Sequence, residues 1–140
     1  MTVRVERTFE FDAPPEDVWD FIADPEKRAS PISVVSEFET TGEYTATWHV
    51  KLPIPVINRT IPIETEDVER RENEYVRFVG NASVMRVQGE HELEATETGS
   101  RLHNRFVVEG KVPGLERFFK RNLDDELDNI ERAIREDLDR

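Results

Sequence analysis

The sequence predicts an α+β fold: a seven-stranded antiparallel sheet, two short helices between the first and second strands, and one long helix at the end. A period of two runs almost unbroken from Ile32 to Val108, which is strand spacing. The dipeptides Thr41-Gly42, Gly80-Asn81 and Thr98-Gly99 divide that stretch into hairpins. Residues 115–138 then change to helical spacing. At about 100° per residue, Leu115, Phe119, Leu123, Leu127, Ile130, Ala133, Ile134 and Leu138 fall within one arc of about 140°.

In order, residues 3–11 alternate, with Val3, Val5, Phe9 and Phe11 on one face and Arg7 the polar member among them. Asp12-Ala13-Pro14-Pro15 ends that strand. Glu16 and Asp17 then suit the positive end of a short helix carrying Val18, Trp19 and Ile22. Asp24-Pro25 stops it, because the residue before proline disfavours helical torsions, and a second helical turn is expected over 25–29. Strands are expected over 32–40, 43–52, 60–70, 74–79, 84–97 and 101–110, the six forming an antiparallel meander. Residues 53–59 are apolar, broken by proline and too long for a tight turn.

A chain of 140 residues suits a single domain over 1–140 with a core of its own. Nineteen basic residues against 31 acidic give a net charge of −12, which argues against a nucleic-acid partner. Four lysines against fifteen arginines, under so many carboxylates, match the composition of salt-adapted, halophilic proteomes. There is no cysteine, and so neither a disulfide framework nor a thiolate site. No basic-then-apolar leader or long apolar run is seen, and the expectation is a cytoplasmic protein.

The segment Ala13-Pro14-Pro15-Glu16-Asp17-Val18-Trp19-Asp20-Phe21-Ile22-Ala23-Asp24-Pro25 resembles the opening motif of the START/SRPBCC superfamily. Pro31 stands where members often open the second strand, although the tryptophan many carry just before it is replaced by Ala29-Ser30. Val112-Pro113-Gly114-Leu115, leading into the last helix, is similar to the polyketide cyclase/dehydratase-like and carbon monoxide dehydrogenase G-like branches. The resemblance spans nearly the whole chain and rests on markers of fold, not of catalysis. It implies a helix-grip fold, in which a curved sheet wraps the C-terminal helix around an apolar cavity. Members hold lipids, sterols, quinones, polyketides or plant hormones there, and some cyclise or dehydrate them.

Alternation assigns the faces. Tyr44, Ala46, Trp48, Val50 and Leu52 share one side, and Met85, Val87, Gly89, His91, Leu93 and Ala95 share the side opposite Arg86, Glu90, Glu92 and Glu94. Leu102, Asn104, Phe106 and Val108 point inward. A turn at Thr98-Gly99 sets Leu93 opposite Asn104 and His91 opposite Phe106, making His91 and Asn104 diagonal neighbours. The inner face is then apolar apart from Arg7, Ser36, Thr65, Asp67, His91 and Asn104, with Asn122 and Glu126 beside the helical arc. The expected ligand contacts are Phe9, Tyr44, Trp48, Val50, Met85, Val87, His91, Asn104, Phe106, Phe119, Asn122, Leu123 and Glu126, and the expected ligand is a small hydrophobic molecule. Arg7 and Asp67, opposite in sign on one face, are candidates for an ion pair.

Catalytic signals are sparse. His49 and His103 point out while His91 points in, so no metal site is expected, nor any cofactor. No nucleophile elbow or phosphate loop occurs. His91 is the one candidate acid–base, with Asp67 or Glu126 as partner. A carrier or sensor is the first expectation; a polyketide cyclase/dehydratase-type enzyme using His91 and a protein-interaction accessory module are the alternatives. The apolar loops 53–57 and 112–115 are expected as lips of the cavity. Residues 44–63 lack acids, and 111–121 carry Lys111, Arg117, Lys120 and Arg121 against Glu116, so peripheral membrane contact through 53–57 and 112–121 is a further expectation. Oligomeric state is not legible.

Overall fold

A computed structural model describes residues 2–54, 57 and 59–139. The elements run β1 (Thr2–Phe11), α1 (Pro15–Ile22), α2 (Pro25–Ala29), β2 (Val35–Thr40), β3 (Thr45–Val50), β4 (Ile61–Arg71), β5 (Tyr75–Asn81), β6 (Met85–Ala95), β7 (Ser100–Gly110) and α3 (Leu115–Leu138). The strands form one curved antiparallel sheet in the order β1-β7-β6-β5-β4-β3-β2, a meander closed at its far side by the first strand. This is the expected helix-grip architecture, open between β1 and β2.

Local chemistry explains the helix ends. Pro15 opens α1 with Glu16 and Asp17 in the first turn. Asp24 caps α2, its carboxylate accepting from the backbone N–H groups of Glu26 at 2.9 Å and Lys27 at 3.3 Å. Gly114 precedes α3 at a φ of 89°, a left-handed torsion that turns the chain off the sheet and that a β-carbon resists.

α3 does not lie evenly over the sheet. Its backbone packs close to β1, β7 and α1, and meets the middle strands chiefly through long side chains. Leu115, Leu127 and Ile134 are fully buried beneath it, and Phe119, Leu123 and Ile130 nearly so. Each such side chain removed from water contributes about 1.5–3 kcal/mol. The remaining edge of the core is closed by α1, through Val18, Phe21 and Ile22, and by Leu52, Ile54 and Ile57.

Four expectations are corrected. The second strand begins at Val35 instead of Ile32, because residues 32–34 turn, with the Val35 N–H bonded to the Ile32 carbonyl at 3.1 Å. Tyr44 precedes β3 and is 41 % exposed, its ring covered by the Arg70 guanidinium at 4.3 Å. His91 faces Asn104 directly, with Leu93 opposite Leu102 and Gly89 opposite Phe106. The hairpin loop is 96–99, closed by Thr96 N–H on the Gly99 carbonyl at 3.0 Å, so the turn centres one residue earlier and the pairing moves by two. Finally, Arg7 and Asp67 do not pair with each other. Arg7 reaches Asp128 at 2.5 Å and Asp124 at 3.7 Å on α3, whereas Asp67 is held by Arg28 and Arg70, each at 2.5 Å.

Gly99 ends that loop against the β1–α1 turn, where a β-carbon would stand 2.1 Å from the Phe11 carbonyl oxygen and 2.7 Å from the Ala13 nitrogen. Backbone cannot yield as a flexible side chain does. Gly99→Ala is therefore expected to destabilise the fold by about 1–3 kcal/mol. Urea unfolding of the two proteins measures it, and equal midpoints would show that the loop is not packed in this way.

Candidate functional site

Where α3 stands away from the middle strands, a cavity of about 50 Å³ remains. Trp48 and Val50 of β3, Ile63 of β4, Phe78 of β5, Met85 and Val87 of β6, and Phe106 and Val108 of β7 form its floor. Phe119, Leu123, Glu126, Leu127 and Ile130 form its roof, and Ile32, Val34 and Val35 its side wall. Gly89 permits this floor, since the Phe78 ring lies over it where a β-carbon would come within 2.3 Å.

Among the described residues of that lining, Glu126 is the sole ionisable one. It is nearly buried and accepts from the Ser33 backbone N–H at 2.8 Å and the Ser33 hydroxyl at 2.7 Å. Asn129 donates to it at 3.3 Å. These charge-assisted bonds offset its desolvation and tie α3 to the turn at 32–34. Outside them lies a cleft of about 310 Å³ bordered by Ser33, Pro53, Phe118, Asn122, Asp125 and Asn129. Cleft and cavity share Val34, Phe119 and Glu126, which therefore form the partition between outside and inside.

A smaller chamber of about 10 Å³ adjoins the cavity, sharing Ile32, Trp48, Phe78, Phe106 and Ile130 with it and adding Phe21, Ile22, Arg28 and His91. His91 is fully buried between the rings of Phe78 at 6.4 Å and Phe106 at 5.6 Å. Its Nδ1 is 2.7 Å from Asn104 Oδ1, while Asn104 Nδ2 donates to the Arg7 and Leu102 carbonyls at 3.1 and 3.4 Å. Two carbonyl acceptors on the amide nitrogen orient the amide, so its oxygen must accept from imidazole. Nδ1 then carries the proton and Nε2 the lone pair.

Burial, followed by the nearby Arg28 cation, pushes the His91 pKa down to about 4, and the hydrogen bond to Asn104 only partly opposes this. The ring is neutral at pH 7. Burial likewise pulls Arg28 below the usual arginine range against the opposing pull of Asp67. Arg28 donates to the Ile22 carbonyl at 3.0 Å and to Asp67 at 2.5 Å, and lies 5.1 Å over the Phe78 ring. Its Nε and the Trp48 Nε1 are buried without a hydrogen-bond partner. A buried donor left unsatisfied costs about 1–3 kcal/mol.

Of the thirteen expected ligand contacts, Trp48, Val50, Met85, Val87, Phe106, Phe119, Leu123 and Glu126 come together around the cavity. His91 lies in the adjoining chamber and Asn104 behind it. Asn122 borders the outer cleft, its amide bonded back to the Phe118 carbonyl at 2.7 Å. Phe9 is buried against Phe11 away from the cavity, and Tyr44 is on the surface. The lining residues absent from the expected contacts are Ile32, Val34, Val35, Ile63, Phe78, Val108, Leu127 and Ile130 of the cavity and Phe21, Ile22 and, above all, Arg28 of the chamber. Ile63 and Phe78 were accessible through alternation; the signal for Arg28 was an inward Asp67 that needed a cation. Of the expected lips, Ile54, Ile57 and Leu115 are buried, Pro53, Pro113 and Gly114 are exposed and Val112 is half-buried; residues 55 and 56 lie outside the described ones. Neither Asp67 nor Glu126 bonds to His91, so the expected acid–base partnership is not assembled. Among the described residues no group of three or more histidines and carboxylates is placed to hold a metal ion.

The buried imidazole sets a pH dependence. An unfolded histidine titrates near 6.5 and this one near 4, so between those values the unfolded chain binds the extra proton. Stability should fall as pH drops through that window, by on the order of 3 kcal/mol from this residue. In urea unfolding at pH 7.5 and 4.5, His91→Gln should lose most of that difference while the carboxylate contribution persists. Equal pH slopes in parent and variant would contradict the buried neutral ring.

The profile of a family described as polyketide cyclase/dehydrase and lipid transport matches residues 2–135. Among solved structures, the chain is similar to a START superfamily protein from Mycobacterium smegmatis, at 13% identity with a TM-score of 0.76, covering 97% of each chain. It is also similar to the ZhuI aromatase/cyclase from Streptomyces sp. R1128, at 15% identity and TM-score 0.71, covering 96% of this chain and 94% of that one. A conserved protein from Geobacillus kaustophilus gives 14% identity and TM-score 0.75, with coverages of 99% and 95%. No curated protein sequence matches. These comparisons bear on the polyketide cyclase-like branch of the superfamily and not on the carbon monoxide dehydrogenase G-like one. With a profile match over nearly its full length and the sheet-and-helix architecture to go with it, the chain belongs to the polyketide cyclase/dehydrase and lipid transport family.

Proposed function

We propose that the protein is a carrier or sensor that binds a small hydrophobic molecule between the sheet and α3. The observation that carries this reading is a cavity whose lining holds one ionisable group, Glu126, already satisfied by Ser33. Such a surface attracts apolar matter and gives little purchase to ions. At about 50 Å³ the cavity is smaller than a lipid chain, so uptake requires the 32–34 turn to part from α3. The three side chains of the partition make that the shortest way in.

A second reading, a cyclase- or dehydratase-type enzyme, is favoured by one observation: His91 is neutral and holds a lone pair on Nε2 beside the cavity. Loss of turnover in His91→Ala on an aromatic polyketide substrate would support it.

The reading extends to docking on an anionic bilayer. Arg4 of β1 joins Arg117, Lys120 and Arg121 of α3 along one groove, where they outnumber the one carboxylate of its described lining, Glu116. On a chain of net charge −12, such a cluster is a local attractor for anionic headgroups. The half-buried Phe118, stacked edge-on to Phe119 at 5.1 Å, stands on the same helix beside the outer cleft.

Two outcomes follow. Val87→Phe, which fills the cavity from its floor, should weaken binding of the apolar dye N-phenyl-1-naphthylamine about tenfold or more without lowering the melting temperature. Undiminished binding would place the dye elsewhere and contradict the proposal. Arg117→Glu with Lys120→Glu should reduce cosedimentation with phosphatidylglycerol vesicles at low salt and leave phosphatidylcholine vesicles unaffected. Equal sedimentation by parent and variant would remove the membrane docking.

A further inference from the structure

Residues that line the small inner chamber carry hydrogen-bonding atoms that are left unmatched among the described residues. Three of its lining residues, Arg28, Trp48 and His91, are each more than nine-tenths buried. Arg28 Nε–H and Trp48 Nε1–H are donors without acceptors. His91 Nε2 is an acceptor by the tautomer that Asn104 imposes, and among the described residues no donor is bonded to it. The rest of the chamber wall is apolar: Phe21, Ile22, Ile32, Phe78, Phe106 and Ile130. Its volume of about 10 Å³ is the room of one water-sized group.

We infer that this chamber receives a hydroxyl group, and that the ligand is an apolar alcohol or phenol inserted hydroxyl first. A hydroxyl has one hydrogen to donate and two lone pairs to accept with, which is the complement of one acceptor and two donors. A bare hydrocarbon leaves all three unsatisfied. An ether or ketone oxygen accepts from the donors and sets a lone pair against His91 Nε2. A carboxylate does the same with a full negative charge, beside an arginine that Asp67 already neutralises. Sites built around buried polar groups reject analogues lacking the matching group far more strongly than apolar walls reject a methylene. The inference rests on the cavity-binding proposal and adds to it the chemical class and orientation of the guest.

The test compares three probes of similar shape, 2-naphthol, 2-methoxynaphthalene and naphthalene, by quenching of intrinsic tryptophan fluorescence. The parent protein should bind 2-naphthol about tenfold or more tightly than either other probe. His91→Leu should abolish that preference while naphthalene affinity stays within about threefold, and Trp48→Phe, which keeps the ring and removes the donor, should reduce it. If all three probes bind equally to the parent, the hydroxyl site is overturned and cavity binding stands. If 2-methoxynaphthalene matches 2-naphthol, the role of His91 as acceptor is overturned. If no probe binds, the cavity-binding proposal fails and the inference with it. Should His91→Leu not fold, the ranking in the parent and in Trp48→Phe decides.

Discussion

One straight helix cannot cover the inner face of a seven-stranded sheet. Strands at about 4.8 Å spacing make a surface roughly 30 Å across, and a helix with its side chains is about 10–12 Å wide. In this protein α3 spends its close contacts on β1, β7 and α1. The span from β3 to β6 must then be filled by side chains reaching across, by α1 and α2, and by the 32–34 turn. Trp48, Phe78 and Phe106 fill much of it, and what they leave is the cavity. The void follows from the geometry of the clasp, and no special packing defect is required.

Where carboxylates enter this interior, each is held by a specific partner. Asp67 sits between Arg28 and Arg70, and Glu126 is bonded twice by Ser33. His91 escapes charge altogether by staying neutral. These arrangements hold the α2–β2 connection against both the sheet and α3. The segment Ile32–Val34 is itself tied to α3 through Ser33, and on the proposed reading those bonds open when a guest enters.

Much of this was legible in the residues alone. The limits of α3 at Leu115 and Leu138 follow from the apolar arc of helical spacing that starts after Gly114, and the inward faces of β3, β6 and β7 follow from period two. Of the cavity wall, Trp48, Val50, Met85, Val87 and Phe106 on β3, β6 and β7 and Phe119, Leu123 and Glu126 on α3 were recovered, while Ile63 of β4, Phe78 of β5 and Leu127 and Ile130 of α3 were not. The other misses lie in irregular backbone. Thr98-Gly99 pointed to the turn, but Gly99 is the last residue of the loop, selected because it packs against the Phe11 carbonyl, and the pairing of His91 moved accordingly. Tyr44 fell off the end of a strand that is shorter than its alternation. Arg28, on a five-residue helix with no periodicity to read, was signalled only indirectly, by an inward Asp67 that needed a cation. Ionic partners across 39 residues, such as Arg28 and Asp67, are set by the tertiary fold and not by spacing.

The most direct test of the incomplete clasp is xenon titration followed by methyl NMR. A dry apolar void takes up xenon saturably. On this account the methyl groups of Val50, Val87 and Leu127 should shift together to a common plateau, while those of Val68 on the exposed face stay still. Shifts that rise linearly without saturating, and alike at both places, would mean that helix and sheet are packed solid.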